Sequence, residues 1–474
     1  MESMKVHLIN PPSPGELGFT REGRCMQKEG VWTTTWPPIS LTQTAAILRE
    51  RGYEVRVNDC SVEGVDREAL RAILKDFSPQ LVVMNSTTPS LNFDMTIPAL
   101  VKEELPEAKV AAFGIHVGTL PEETFSMSDA LDYIVRGEPE YTIADLADGL
   151  ANETDLSAIA GLSLRRNGAI FHAQNRGFFK NLDEMPYPAW DLIDLDNYKL
   201  PFSGRHFLMV TTARGCPYDC IYCVAQSYYG RKIRMRKVPK IVDEIEYLGE
   251  KYGVRDFFFW SESFTIIKAA IKELCREILR RNLKVRWVCN SRVDNIDQEL
   301  LELMKKAGCW MISYGIESGE QAILDAIKKD ITLDQIREAV YLTRRIGFQI
   351  AGHFVLGLPG ETAQTLQKTY DFACSLDLDY AQFYCASPWP GSEFYRMAKS
   401  EGWLASHNWD DFEQDKSVTN YPGLSADEIT RFRNWASRRF YLRPKIVWRT
   451  MTRMRSPAEV KNFLRMLRAF LTWI

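Results

Sequence analysis

The chain has 474 residues, 45% hydrophobic and 26% charged, with a formal net charge of −3. This is the composition of an ordinary folded protein with room for about three domains, and it excludes a disordered, collagen-like or coiled-coil chain. No run of about 18 apolar residues occurs, so no helix is expected to cross a membrane.

The opening MKVHLINPPS reads as a strand entering a proline turn, not as a leader peptide. Ten cysteines without a leader point to a reducing, cytoplasmic setting, where thiols hold metal more often than they pair. Apolar runs at 4–10, 54–60, 80–86, 109–115 and 132–138 alternate with helical patterns such as SLTQTAAILRERG, VDREALRAILKDF and NFDMTIPALVKEEL. Such alternation predicts a parallel sheet covered by helices, a Rossmann-like domain over residues 1–152. Ligands in open sheets of this kind sit at the carboxyl ends of the strands. A dinucleotide is not expected, because the first strand ends in Asn10-Pro11-Pro12 and no G-x-G-x-x-G follows.

Residues 153–205 are rich in proline and turns and read as a linker, with a small hairpin about Asn167-Gly168. Over 206–395, strands at 207–213, 256–261, 284–291, 310–317, 349–357 and 380–387 alternate with helices, which predicts a partial (β/α)6 barrel. Its functional groups should gather where the strands end. Residues 396–474 read as a mainly helical, basic region. From 431 onward twelve Lys/Arg stand against Glu459 alone, a net +11 that leaves −14 on the rest. Phe463, Leu464, Leu467, Phe470 and Leu471 share one helical face. That face either docks on the acidic body or lies on an anionic membrane surface. No nucleic-acid motif accompanies the charge, so no nucleic-acid partner is expected.

The chemistry-bearing motif is RGCPYDCIYC, which places Cys216, Cys220 and Cys223 in the loop after the first barrel strand. A structural zinc site usually has two C-x2-C pairs or a Cys pair with a His pair, and only one such step occurs here. Three thiolates on a four-iron cluster leave one iron open to a ligand. Zinc or uncommitted thiols is the alternative reading of the triplet. The remaining cysteines mostly sit in apolar contexts and read as buried hydrophobes.

This segment resembles the radical S-adenosylmethionine (SAM) enzymes over about residues 206–395. The resemblance implies a [4Fe–4S] cluster on the three cysteines, and SAM cleaved to a hydrogen-abstracting 5′-deoxyadenosyl radical. It also implies SAM contacts from Tyr222, from Ser261 and Glu262 in the SES that replaces the family's Gly-Gly-Glu, and from Arg292, whose fork could pair with the SAM carboxylate. Glu317 in YGIESG, and Gly357 and Gly360 in the loop GLPGE, complete that set.

The first domain resembles the cobalamin-binding domains fused to such barrels. The resemblance rests on Asn10, Pro11 and Pro12; Trp36; Ser86, Thr87 and Thr88; Gly114, His116 and Val117; and Gly137 and Glu138. Ser61 stands where other cobalamin proteins carry a cobalt-ligating histidine, which is usual in the fused family. The whole chain is thus similar to cobalamin-dependent radical SAM enzymes. This implies a C-methyltransferase working at an unactivated carbon through methylcobalamin. A cyclase or rearrangement enzyme on a porphyrin- or hopanoid-type substrate is the alternative. A non-catalytic iron–sulfur or cobalamin carrier is the third. The partners implied are a small-molecule or lipid-like substrate and an electron donor such as flavodoxin or ferredoxin.

Overall fold

The computed structural model describes residues 3–13, 15, 19–22, 27–28, 35–166, 168–200, 203–454 and 460–461. Five strands form the first sheet: β1 (Lys5–Asn10), β2 (Glu54–Asp59), β3 (Leu81–Asn85), β4 (Lys109–Phe113) and β5 (Tyr133–Val135). They run parallel in the order β2-β1-β3-β4-β5. β3 is buried throughout and β1 nearly so, as expected of strands covered on both faces. The order reverses between β1 and β3, so the crevice of this sheet lies beyond Asn10 and Asn85.

The hairpin expected in the linker pairs instead with the sheet. β6 (Leu162–Arg166) runs antiparallel to β5, and β7 (Ala169–His172) antiparallel to β6. β5 would otherwise present an open edge of unpaired backbone groups, and the hairpin covers it. Asn167 lies outside the described residues. The rest of the linker lies on α1 (Ile39–Glu50): Ala189 N–H donates to the Thr42 carbonyl at 2.9 Å, and Trp190 is fully buried. The helix read over NFDMTIPALVKEEL is broken, into Leu91–Asp94 and Ile97–Glu104, with Pro98 starting the second piece.

Six further strands are all parallel and lie in chain order: β8 (Phe207–Thr211), β9 (Asp256–Trp260), β10 (Arg286–Ser291), β11 (Cys309–Glu317), β12 (Gln349–Leu356) and β13 (Tyr380–Cys385). Side chains from all six line one internal cavity of about 1170 Å³, so the sheet curls into a partial barrel. The outer helices include α2 (Val238–Tyr252), α3 (Lys268–Arg280), α4 (Gln298–Lys306), α5 (Leu333–Ile346) and α6 (Ala363–Ser375). Each buries one stripe, such as Ile271, Leu274, Cys275 and Ile278 of α3.

The basic region docks. α7 (Ala426–Tyr441) starts in a capping box at Ser425 and Glu428 and buries Ile429, Arg433, Ala436 and Phe440. α8 (Pro444–Arg453) buries Ile446 and pairs Arg449 with Asp377 and Asp379 at 2.7 and 3.2 Å. Arg449 and Lys445 therefore meet acids of the barrel here. The apolar face at 463–471 lies outside the described residues.

The two halves are locked by a buried charge cluster. Arg214 meets Glu138 and Glu140 at 3.3 and 2.5 Å, and Arg234 meets Glu138 at 2.8 Å. These side chains are nearly inaccessible, where removing one partner strands another charge.

Candidate functional site

The triplet loop opens on a turn that only glycine can make. Gly215 has φ +99°, and a Cβ there would stand 2.3 Å from the Lys232 carbonyl oxygen. The loop is then pinned on both sides: Cys216 N–H donates to the Gly230 carbonyl, and Ile221 N–H to the Ile327 carbonyl. Cys216, Cys220 and Cys223 all line the cavity. Burial pushes the Cys220 thiol up, with the Lys329 ammonium pulling the other way. Among the described residues no group of His, Cys, Asp and Glu converges on a single ion. Three cysteine thiols facing one chamber suit a cubane iron–sulfur cluster.

Opposite the loop, β11 ends in a bulge. Its pairing with β12 shifts between Gly315 and Glu317, and Glu317 takes φ +67°, a costly conformation for a side-chain-bearing residue. Its Oε1 there accepts from Tyr222 at 2.9 Å and from Lys329 at 2.7 Å. Burial and the adjacent carboxylate keep the Tyr222 phenol protonated. Tyr222, Glu317 and Lys329, which sequence expectation had as two separate motifs and an unmarked lysine, are one hydrogen-bonded unit at the cavity wall.

Arg292 is where expected, but its fork is engaged. Nε and Nη2 pair with Asp294 at 3.0 Å each, and the guanidinium stacks 3.6 Å above Tyr218. Nη1 is buried without a partner among the described residues, as are the hydroxyls of Ser261 and Ser263. Arg292 and Ser263 line the cavity, as does Glu262, whose carboxylate accepts from Gly215 N–H at 2.9 Å. Buried polar atoms of this kind cost free energy unless a ligand meets them. They suit the charged amino-acid end of SAM, with one donor from Arg292 in place of a fork.

Gly357 and Gly360 are not brought to the cavity lining. Gly357 lies under Ile429 of α7, and its carbonyl accepts from Tyr421 at 2.8 Å. Deeper in the barrel stand two residues that no motif marks. His353 and Tyr384, on adjacent strands, stack at 5.8 Å, with His353 Nδ1 3.1 Å from the Tyr384 hydroxyl. That hydroxyl donates to Gln382, so Nδ1 carries the proton and Nε2 is left as an acceptor. Burial holds His353 below the usual histidine range, hence neutral.

The first domain's expected residues mostly converge. Asn10, Pro11, Pro12, Ser86, Thr87, Thr88, His116 and Val117 are buried together beyond β1, β3 and β4. Gly114 has φ +137°, and a Cβ there would lie 2.1 Å from the Ser86 carbonyl oxygen, so the loops approach closely only because it is glycine. His116 Nδ1 stands 3.2 Å from the Thr88 hydroxyl, its Nε2 is buried without a partner among the described residues, and burial holds it at about 3. Trp409 covers it, ring to ring at 4.5 Å. The segment around Trp409 thus closes this edge, while Trp389 and Gln414 line the barrel cavity. Hydroxyls and amides at the switch point, with one glycine approach, form a donor set that fits an amide-rich cofactor such as cobalamin.

Two expected contacts lie elsewhere. Trp36 packs edge-on to Phe258 and Trp260 of β9, at 5.1 and 5.3 Å, and lines the barrel cavity. Glu138 spends its carboxylate on Arg214 and Arg234, and on the backbone N–H of Phe179 at 2.8 Å.

The sequence pattern of the Radical SAM superfamily matches residues 210–373, and that of the B12 binding domain matches residues 30–147. An uncharacterized methyltransferase of Pyrococcus horikoshii is 31% identical over 447 residues, 94% of each chain. The chain belongs to the cobalamin-binding radical SAM enzymes. An anaerobic magnesium-protoporphyrin IX monomethyl ester cyclase of Cereibacter sphaeroides is 30% identical over 377 residues, 77% of this chain and 61% of its own. In fold, the chain matches the radical SAM methyltransferase TsrM from Kitasatospora setae. The TM-score is 0.69 at 20% identity, over 85% of this chain and 79% of that one. The cofactors of this cobalamin-binding radical SAM enzyme are a [4Fe–4S] cluster, SAM and cobalamin.

Proposed function

We propose that the chain is a C-methyltransferase acting at an unactivated carbon of a small-molecule or lipid-like substrate, with flavodoxin or ferredoxin as electron donor. One observation carries this reading. Glu22 and Trp260 line both the cavity that begins at the three cysteines and the small cleft at Asn85, Phe113 and Gly114, so the barrel chamber and the carboxyl edge of the first domain adjoin. Bound there, the cluster and SAM supply a hydrogen-abstracting adenosyl radical, and cobalamin supplies a transferable methyl group.

The chain's own residues hold and orient. Cys216, Cys220 and Cys223 would hold the cluster. Arg292 Nη1 and the Ser263 hydroxyl meet the charged end of SAM, while Lys329 fixes Glu317 and Tyr222 beside it. Asn10, Pro11, Pro12, Ser86, Thr87, Thr88, Gly114, His116 and Val117 form the cobalamin edge. His353 Nε2 accepts a hydrogen bond from the substrate, and Val288, Met311, Ala351 and Val355 give the chamber apolar wall that keeps water out.

The likeness to the cyclase favours a second reading, in which both cofactors serve and no methyl moves. Reconstituted protein with cobalamin, a strong reductant and SAM, but no substrate, separates the two. Methyl transfer requires S-adenosylhomocysteine and methylated cobalamin to form, and to form also in Cys216→Ala. Formation of 5′-deoxyadenosine without methylated cobalamin gives the cyclase reading the lead.

A further inference from the structure

Helices α7 and α8 bury one side against the barrel, and the other side is unlike a water-facing surface. Of ten exposed large hydrophobic residues among the described ones, six fall from Trp435 onward. Leu442, Val447, Trp448 and Met451 lead them, with Trp448 70% exposed. Residues 447, 448 and 451 lie within one turn of α8 and share a face. A contiguous apolar patch with a charged rim marks a contact surface.

The rim is basic. Arg438, Arg439 and Lys445 are exposed beside the patch, in the region whose net charge is +11. Asp377, which Lys445 of α8 meets, is also matched by Arg344 and Arg449, all within 3.1 Å. No described helix is long and apolar enough to cross a membrane, so any lipid contact here is peripheral.

The same helix also walls the far end of the barrel cavity. Arg449, Thr450 and Met454 line it together with Lys305, Trp310 and Phe348, at the amino ends of the strands and away from the cysteines. We propose that α8 and the end of α7 seat on an anionic lipid surface, setting the far mouth of the cavity against the membrane. Trp448 and Met451 enter the interfacial layer, where indoles and thioethers leave water, and the arginines face phosphate headgroups. Charge complementarity selects an anionic bilayer over a second copy of this equally basic face. The proposal rests on this geometry and not on the methyl-transfer reading.

The test uses full-length, cluster-loaded protein and sedimented vesicles, either phosphatidylcholine alone or phosphatidylcholine with phosphatidylglycerol. Binding is expected only with phosphatidylglycerol and is expected to weaken as salt rises. Trp448→Ser with Met451→Ser should weaken it roughly tenfold or more, with iron content and circular dichroism unchanged. Three results would overturn the proposal. One is no binding to either vesicle. Another is equal binding by variant and wild type, which would move the contact to another part of the chain. The third is a wild-type dimer in solution that the variant splits, which would make the face an interface between copies.

Discussion

The carboxyl edge of the first sheet and the interior of the barrel use the same β/α grammar and are packed in opposite ways. At the first edge, the cleft bounded by Asn85, Phe113 and Gly114 measures about 30 Å³, and Trp409 lies over His116. In the barrel, strands of the same kind surround about 1170 Å³. The difference follows from side-chain size and polarity. The first edge is built of Ser, Thr, Asn and Gly, which hydrogen-bond one another across short distances, as Ser86 and Ser90 do on Asp94 at 3.0 and 2.6 Å. The barrel staggers small residues such as Ser313, Gly315 and Ala351 against large ones, which leaves a hollow. Chemistry that needs a dry, shaped chamber belongs to the second region, and a tight cradle to the first.

That contrast can be broken most severely at the cluster loop. Cys220→Ala is expected to lose cluster iron and all reductive SAM cleavage while cobalamin retention stays intact; iron analysis and 5′-deoxyadenosine yield are the readouts. Loss of cobalamin as well would make the two regions one folding unit.

Lys329→Met strands the buried Glu317 carboxylate and should cost about 3–5 kcal/mol in denaturant unfolding. The double variant with Glu317→Gln should recover much of that loss, and both should bind SAM more weakly. Full additivity of the two substitutions would remove the Tyr222–Glu317–Lys329 unit from the argument.

Gly114→Ala tests the tight side of the comparison. With its φ and the Ser86 carbonyl in the way, a cost of about 1–3 kcal/mol is expected, together with lowered cobalamin retention and unchanged cluster content. An unaltered cobalamin complement would mean that the loops need not approach so closely.

The gentlest probe is pH. His7, on β1 and hydrogen-bonded to Asn58 at 2.9 Å, is held by burial at about 4 against its ordinary 6.5. Below 6.5 the unfolded chain takes a proton that the folded one refuses. Stability is therefore lost as pH falls from 6.5 toward 4, by up to about 1.4 kcal/mol per pH unit, and is fully present above 6.5. His7→Gln should flatten part of that acid limb, leaving the share due to His116, which burial likewise depresses.

How much of this was legible depended on distance along the chain. The five strands of the first sheet, the six barrel strands and the cysteine loop follow from local periodicity and from thiols within eight residues of one another. The Arg292 fork could not be foreseen as taken, although Asp294 lies two residues away, because a strand end does not say which way a side chain turns. Lys329 carried no signal at all: it sits in the run IKKDI among other lysines, and only the bulge at Glu317 gives it a role. His353 and Tyr384 read as ordinary strand residues until β12 and β13 are laid side by side.

By itself the sequence determined the repeating units, the cysteine triplet and the acidic body with its basic tail, because each is written in neighbours or in summed charge. The tertiary structure alone decided which strand ends face one chamber, that Glu138 serves the joint between the halves, and that Trp409 roofs His116. Those contacts join residues tens or hundreds of positions apart, and their geometry is set by packing and by the pairing of buried charges, which no local pattern encodes.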